Sequence, residues 1–398
     1  MILVLRALGI GDLATAVPAL RGLRGAWPDR PLALAAPGWL APLVELTGCV
    51  DRLIPVDGLA GEGLDGVGMG ADGAAGDADG AAGDGRRGRS PGEHRPGPSP
   101  GYPRRGPVAG GAGPYRAVNL HGRGPESHRL LRRATSAPLL AFACPAAGHA
   151  DGPQWRADEH EVRRWCRLLD WYGVPADPAD LELDRPDPSR CPVGVTVVHP
   201  GGKEPARRWS AGRFAAVARE LDRSGHRVVV TGSPAERELT ARVAAAAGLP
   251  ATSALTGLGL AGLAALVAHA RLVVSADTGV AHLATAYRTP SVVLFGPVRP
   301  EHWGPPPDRP WHRALWAGPV TEAASADAAS SAEAVGWASV PGPAGTVGPA
   351  DADPDGAHSG LHPALAAIGV DEVLAAAVAV DRLGRAGEVG SVPAFSRP

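Results

Sequence analysis

Aromatic side chains are scarce in this sequence, at 5% of residues, and cysteine occurs only at Cys49, Cys144, Cys166 and Cys191. The cysteines are scattered, with neither a CxxC pair nor disulfide-like spacing. That excludes a disulfide-stapled scaffold and suits a reducing cytosol, where all four are expected to be packing residues. No stretch reaches the roughly 18 consecutive apolar residues that a bilayer-spanning helix needs, so any membrane contact is expected to be peripheral. Neither sign of charge is in excess: 39 Lys and Arg face 41 Asp and Glu, for a net charge of −2. The broad positive field that drives nonspecific nucleic-acid binding is therefore missing, and nucleic acid is not an expected partner. The opening MILVLRALGIGD has neither a charged leader nor a cleavage site, and is expected to be a strand rather than a signal peptide.

What is present is abundant Ala, Gly, Val, Leu, Arg and Pro over 398 residues, more than one hydrophobic core usually organises, which predicts two domains. Strand and helix patterns alternate from the start: strands over 2–5, 31–35 and 52–56, helices over 13–26 and 40–47. A strand ending at His121 and a helix within DEHEVRRWCRLLDWYG complete a first unit over 1–186. A second unit over 187–318 alternates again, with strands over 194–198, 227–231, 272–275 and 291–295 and helices over 211–224, 235–247, 260–268 and 280–286. This pattern predicts parallel sheets with crossover helices, binding ligand at the carboxyl ends of their strands. Residues 58–114 collapse into Gly, Ala and Asp repeats followed by an Arg/Pro/Gly stretch, and are expected to be a disordered insert. A second polar stretch over 319–360 reads as a flexible insert, and a helix over 361–384 closes the chain.

Four segments carry chemistry. In RALGIGDLATAVPAL, Gly9 and Gly11 allow a tight turn after the first strand and Asp12 stands at the start of the next helix. Gly9, Gly11 and Ala14 also fit the GxGxx(G/A) dinucleotide fingerprint, but the second strand ends in LALAAPG without the acidic ribose ligand which that fingerprint expects. Asp12 reads either as a helix N-cap or as a functional carboxylate. In HPGGKEPARRWS, Gly201 and Gly202 with Lys203, Arg207 and Arg208 form a turn suited to an anion such as a diphosphate. In TGSPAERELT, Glu236 lies in the first turn of a helix, where it either complements the helix dipole or accepts hydrogen bonds from a ribose diol. In SADTGVAHLA, a buried strand delivers Asp277, Thr278 and Gly279 to a helix N-terminus, with His282 close behind, either as a ligand or as a core histidine. The loop NLHGRGPESH, with Asn119, His121, Arg123 and His128, supplies a polar strand end. DEHE at 158–161 lacks the second His of HExxH, and no metal site is expected.

Read together, LGIGD, HPG…RRW…RF, TGSPAERE and SADTGVAHLA followed by PSVVLFGP resemble glycosyltransferase family 9, the ADP-heptose:lipopolysaccharide heptosyltransferase-like enzymes. The resemblance covers most of the chain outside the two low-complexity stretches. It implies two facing Rossmann-like α/β domains of the glycosyltransferase B type, the acceptor on the first and the nucleotide sugar on the second. It also implies inversion at the anomeric carbon and no metal or cofactor, with an ADP-sugar as co-substrate. By resemblance Asp12 is the catalytic base, Arg207 the diphosphate-binding cation and Glu236 the ribose-binding acid. Asp277, Thr278, Gly279 and His282 form the sugar and phosphate loop. Gly201, Gly202 and Lys203 complete the donor side, and Gly11, Asn119, His121 and Arg123 are candidates for the acceptor side. The chain departs from the family in placing Arg at 207, where Lys is usual, a change from a point cation to a planar fork. The implied location is cytoplasmic, with an acceptor that is a glycan, a glycolipid or a small molecule. An NAD(P)-dependent oxidoreductase and a noncatalytic nucleotide-sugar-binding relative remain as alternatives.

Overall fold

The computed structural model describes residues 1–59, 64, 116–318 and 361–389. Apart from Gly58, Leu59 and Leu64, the expected insert over 58–114 lies outside the described residues, as does the one over 319–360. Leu64 is buried against Leu3, Leu5 and Ile54 on the first sheet.

The first half carries β1 (Ile2–Leu5), α1 (Ile10–Ala26), β2 (Leu32–Ala36), α2 (Ala41–Glu45), β3 (Arg52–Pro55), β4 (Arg116–Asn119), α3 (Glu126–Ala134), β5 (Leu139–Leu140) and α4 (Glu161–Trp171). Its five strands pair in parallel in the order β3-β2-β1-β4-β5. The second half carries β6 (Thr196–His199), α5 (Ala211–Arg223), β7 (Val228–Gly232), α6 (Arg237–Ala246), β8 (Ala254–Thr256), α7 (Gly259–Ala268), β9 (Leu272–Ala276), α8 (Gly279–Tyr287), β10 (Ser291–Leu294), α9 (Pro300–Trp303) and β11 (His312–Leu315). Its six strands, also parallel, run β11-β10-β9-β6-β7-β8, the doubly wound order. The chain ends in α10 (Pro363–Ala366) and α11 (Val370–Val389).

The central strands are short apolar runs, ILVL in β1, LVVSA in β9 and SVVL in β10, and every residue in them is buried. Strands covered by helices on both faces have no solvent side, so their sequences show runs rather than alternation. Helix α1 follows the same logic: every residue from Leu13 to Leu20 is buried. A single apolar core joins Val4, Leu13, Val17 and Leu20 with Trp165 and Leu168 of α4, then continues into Val280, Leu283 and Tyr287 of α8. The two sheets are thus welded through α1 and α8. Two further apolar layers cover the outer faces, one around Leu3, Ala33 and Leu130, the other around Val198, Phe214, Val274 and Val380.

Several elements differ from expectation. Helix α1 starts at Ile10 rather than at Leu13, because Gly9 serves as its N-cap and the Asp12 carboxylate accepts the Gly9 amide. Strand β4 ends at Asn119, not at His121. The strands β5, β8 and β11 and the short α9 carry too few residues for a visible period. The expected continuous helix over 361–384 is interrupted between Ala366 and Val370. Gly369 stands in the break, where helix propensity is low, and the Arg213 guanidinium takes the carbonyls of Ala366 and Ile368 at 2.6 and 2.9 Å. Among the described residues no helix is long and apolar enough to cross a membrane.

Helix α11 is fastened to the second sheet by a two-pronged ion pair, Arg271 Nε to Asp381 Oδ1 at 2.6 Å and Arg271 Nη2 to Asp381 Oδ2 at 2.9 Å. The Asp381 carboxylate is buried. Replacing it in Asp381→Ala leaves the guanidinium without its counter-charge and is expected to lower unfolding free energy by about 3 kcal/mol. A urea melt checks this, and an unchanged midpoint would show that the pair contributes nothing net.

Candidate active site

The carboxyl ends of both sheets meet where the turn after β1 abuts the turn after β9. Two glycines make this approach possible. A Cβ on Gly11 would lie 2.5 Å from Cδ2 of His282, and one on Gly279 would lie 2.8 Å from Cβ of Ile10. Each turn therefore presents a glycine to a side chain of the other.

Asp12 occupies the third position of α1, and its Oδ2 accepts the Gly9 amide at 3.0 Å. The capping role is real, but it uses one oxygen; Oδ1 has only a long contact, 3.4 Å, to Arg6 Nη2. The carboxylate is 18% exposed. Burial raises its pKa above the ordinary aspartate value, Arg6 offsets part of that, and the negative charge of Glu161 adds to it.

Arg6, directly after β1, is 1% exposed and fully engaged. Its Nε donates to the Asp12 carbonyl at 3.0 Å, Nη1 to the Leu120 carbonyl, and Nη2 to Glu161 Oε1 at 2.9 Å, while the guanidinium lies 4.7 Å from the Trp165 ring centroid. Glu161, at the start of α4, also accepts Trp165 Nε1 at 2.9 Å and pairs with Arg164. Burial opposes its charge, yet Arg6 and Arg164 outweigh that and hold its pKa below the ordinary value. Sequence reasoning missed both residues. The signals were an arginine ending an otherwise apolar strand and a glutamate inside a motif examined only for zinc.

On the opposite side, Thr278 is the N-cap of α8, and its buried hydroxyl has no hydrogen-bond partner among the described residues. Asp277 Oδ2 pairs with Arg207 Nη1 at 3.1 Å. Burial raises the Asp277 pKa, and Arg207 and His282 act against it. Burial lowers the pKa of His282, with Asp277 opposing, and the ring stacks edge-on against Trp303 at 5.8 Å. Gly202 continues the floor: a Cβ there would touch Thr278 at 3.4 Å, and its amide donates to Glu236 Oε1 at 2.8 Å. Glu236 Oε2 accepts the amide and hydroxyl of Ser233, both at 2.8 Å, so the carboxylate also caps the 3-10 turn Pro234–Glu236 that leads into α6. Gly201 lies so close that a Cβ on it would be 2.3 Å from Glu236 Oε1. Lys203 is exposed on the same loop.

The β4 loop divides differently. Asn119 does not offer its side chain to a ligand: it is fully buried, donates to Ser127 Oγ at 2.9 Å and accepts the His121 amide at 2.9 Å, which shapes the loop from within. His128 is a core histidine bonded to the Phe142 carbonyl at 2.9 Å. His121 is half-buried; its Nδ1 has no partner among the described residues, and burial together with Arg6 lowers its pKa to about 4. Arg123 lies at the surface. The structure therefore brings Asp12, Gly11, Gly279, His282, Asp277, Arg207, Thr278, Gly202, Gly201 and Glu236 into one contiguous region.

A dinucleotide has no place at the first turn. The Gly9 amide is already taken by the Asp12 carboxylate, whose charge would repel a pyrophosphate.

Residues 154–329 match the family model for glycosyltransferase family 9 (heptosyltransferase). Lipopolysaccharide heptosyltransferase 1 of Pseudomonas aeruginosa is 35% identical over 154 residues, covering 37% of this chain and 42% of the relative. Lipopolysaccharide heptosyltransferase 3 of Escherichia coli is 30% identical over 158 residues, 38% of this chain and 45% of the relative. These matches span less than half the length of the curated relatives. Among solved structures, E. coli ADP-heptose lps heptosyltransferase II superposes with a TM-score of 0.61 at 17% identity, covering 96% of this chain and 99% of that one. The glycosyl transferase family 9 structure from Veillonella parvula gives 0.63 at 19%, covering 96% and 97%. E. coli heptosyltransferase WaaC with ADP gives 0.52 at 16%, covering 79% and 92%. The fold is that of two facing Rossmann-like domains of the glycosyltransferase B type.

The glycine contacts are testable. Gly11→Ala and Gly279→Ala each force a methyl into an occupied position and are expected to destabilise the protein by about 1–3 kcal/mol, as overpacking does. Denaturant melts measure this; a neutral result for both would mean that the two turns do not stay in contact in solution.

Proposed function

We propose that this chain, whose residues 154–329 match the model of glycosyltransferase family 9, is an inverting, metal-independent transferase that moves a heptose or related sugar from a nucleotide-diphosphate donor to an acceptor hydroxyl. The observation that carries this reading is the contact between the start of α1, which bears Asp12, and the turn after β9, where Gly11 abuts His282 and Ile10 abuts Gly279. Residues 1–186 then form the acceptor side, residues 187–318 the donor side, and the helices α10 and α11 pack on the latter. Asp12 removes the acceptor proton as the oxygen attacks the anomeric carbon, and a single displacement inverts that centre. Arg207, Lys203 and the amides at the start of α8 stabilise the departing diphosphate, a role that needs positive charge and oriented N–H groups and no covalent intermediate. In this reading Arg207 exchanges its contact with Asp277 for the donor phosphates, and Asp277 turns to the sugar hydroxyls. Glu236 accepts the ribose diol at the floor formed by Gly201 and Gly202.

The likeness to a heptosyltransferase solved with ADP favours an ADP-sugar as co-substrate, with no further cofactor. The relatives are named lipopolysaccharide heptosyltransferases, which favours a lipid-linked glycan acceptor; in this reading it is met by peripheral contact at the cytoplasmic membrane surface and presented to Gly11, His121 and Arg123.

Calorimetry with ADP-, GDP-, UDP- and dTDP-sugars and NAD(P)H is expected to find one sugar nucleotide that binds the wild type and is lost in Asp277→Ala. Binding of NAD(P)H alone, insensitive to Asp277, would overturn the reading. Arg207→Ala is expected to weaken donor binding by about 1.5–3 kcal/mol, the worth of a charged hydrogen bond. With the donor known, Asp12→Asn should cut kcat by about 10²–10⁴-fold and leave donor affinity intact. A base works only when ionised, and burial raises the Asp12 pKa. The rate should therefore fall on acidification at a pH above the ordinary aspartate value of about 3.9. Unchanged turnover in Asp12→Asn would place the base elsewhere, and donor binding without any turnover in the wild type would make the protein a noncatalytic binder.

A further inference from the structure

The buried charges behind Asp12 form a relay that the transfer chemistry above does not use. Arg6 reaches Asp12 through its backbone, Nε to the carbonyl at 3.0 Å, whereas its contact with the Asp12 carboxylate is 3.4 Å and that with Glu161 is 2.9 Å. The same Nη2 also lies 3.4 Å from Thr15 Oγ1. Glu161 therefore holds the stronger claim on the guanidinium. It is itself fixed from two sides, by Trp165 Nε1 and by Arg164, which is anchored to the carbonyls of Arg156, Ala157 and Glu159 and lies 4.3 Å from the Trp155 ring centroid. Carboxylate and guanidinium alternate through the cluster, and all but Asp12 are nearly sealed from solvent.

We propose that Glu161 is a positioning residue for Asp12, drawing the Arg6 guanidinium aside so that Arg6 orients the turn without neutralising the carboxylate. This rests on the reading of Asp12 as general base. An arginine closed directly on Asp12 in a buried site would make a tight ion pair and a poor base; one shared with a second carboxylate leaves Asp12 with proton affinity to spare. The other charged or titratable groups around Asp12 are His282 against Gly11, Asp277 behind it, His121 beyond Arg6, and His160 at the N-cap of α4. None of these makes a hydrogen bond to the Asp12 carboxylate or to Arg6.

The sign follows from charge. Removing the Glu161 charge leaves Arg6 to Asp12 alone and favours the ionised carboxylate, so its pKa falls. Removing the Arg6 charge does the opposite. The experiment is a carboxyl-carbon NMR titration of the full chain labelled at aspartate, with the Asp12 signal assigned by its loss in Asp12→Asn. Glu161→Gln is expected to move the Asp12 titration to lower pH by about one unit, a typical effect of a nearby charge. Arg6→Gln should move it to higher pH, and Glu161→Asp should stay near the wild type. In turnover assays the acid limb of the rate profile should shift the same way in each variant, with a lower plateau for Glu161→Gln because the base is weaker. A folded Glu161→Gln protein whose Asp12 titration is unmoved or raised overturns the proposal. If that variant does not fold, Arg6→Gln decides, and an unmoved titration there is equally fatal. The base reading fails separately: full turnover in Asp12→Asn sinks it while the titration shifts stand.

Discussion

Everything at the site depends on the contact between two turns that each lack a side chain where the other has one. Gly11 admits the His282 ring and Gly279 admits Ile10, so α1 and α8 approach closely enough to share one apolar core. Without that approach the carboxylate at the end of one sheet and the helix N-terminus at the end of the other would face separate solvent-filled spaces. Steric absence at two positions thus decides whether two domains form one site.

The same contact sets the electrostatics. Burial at the seam raises the proton affinity of both Asp12 and Asp277 and lowers that of His282. Each acid has an arginine beside it, but the two pairs differ in kind. Arg207 is about one-third exposed and reaches Asp277 from solvent, so it can exchange partners, whereas Arg6 is locked among Leu120, Glu161 and Trp165. An exchangeable cation suits the binding of a charged substrate; a locked one suits the steady orientation of a base.

Much of the architecture was legible before any coordinate. Short apolar runs such as VTVVH and RLVVS, rich in β-branched Val and bounded by turn residues, read as strands covered on both faces, and their alternation with helical segments implies parallel sheets. The glycine turns, Asp12, Arg207, Asp277 and Glu236 were singled out in the sequence because each lies in a segment that follows a strand, where open parallel sheets bind ligands. Asn119 was misjudged for the same reason: it too lies at a strand end, but its amide turns inward to hold the loop. Arg6 and Glu161 escaped notice because their significance is a pairing across 155 residues, which no local pattern records.

The sequence by itself determined most of the longer elements, the doubly wound class and the glycine turns suited to an anion, since these follow from short-range hydrophobic period and backbone freedom. Only the tertiary structure decided that α1 meets α8, that Asp12 caps its own helix yet retains an oxygen for other work, and that a glutamate in α4 governs the arginine beside it. Those outcomes depend on distances between residues far apart in the chain, which packing sets and composition does not.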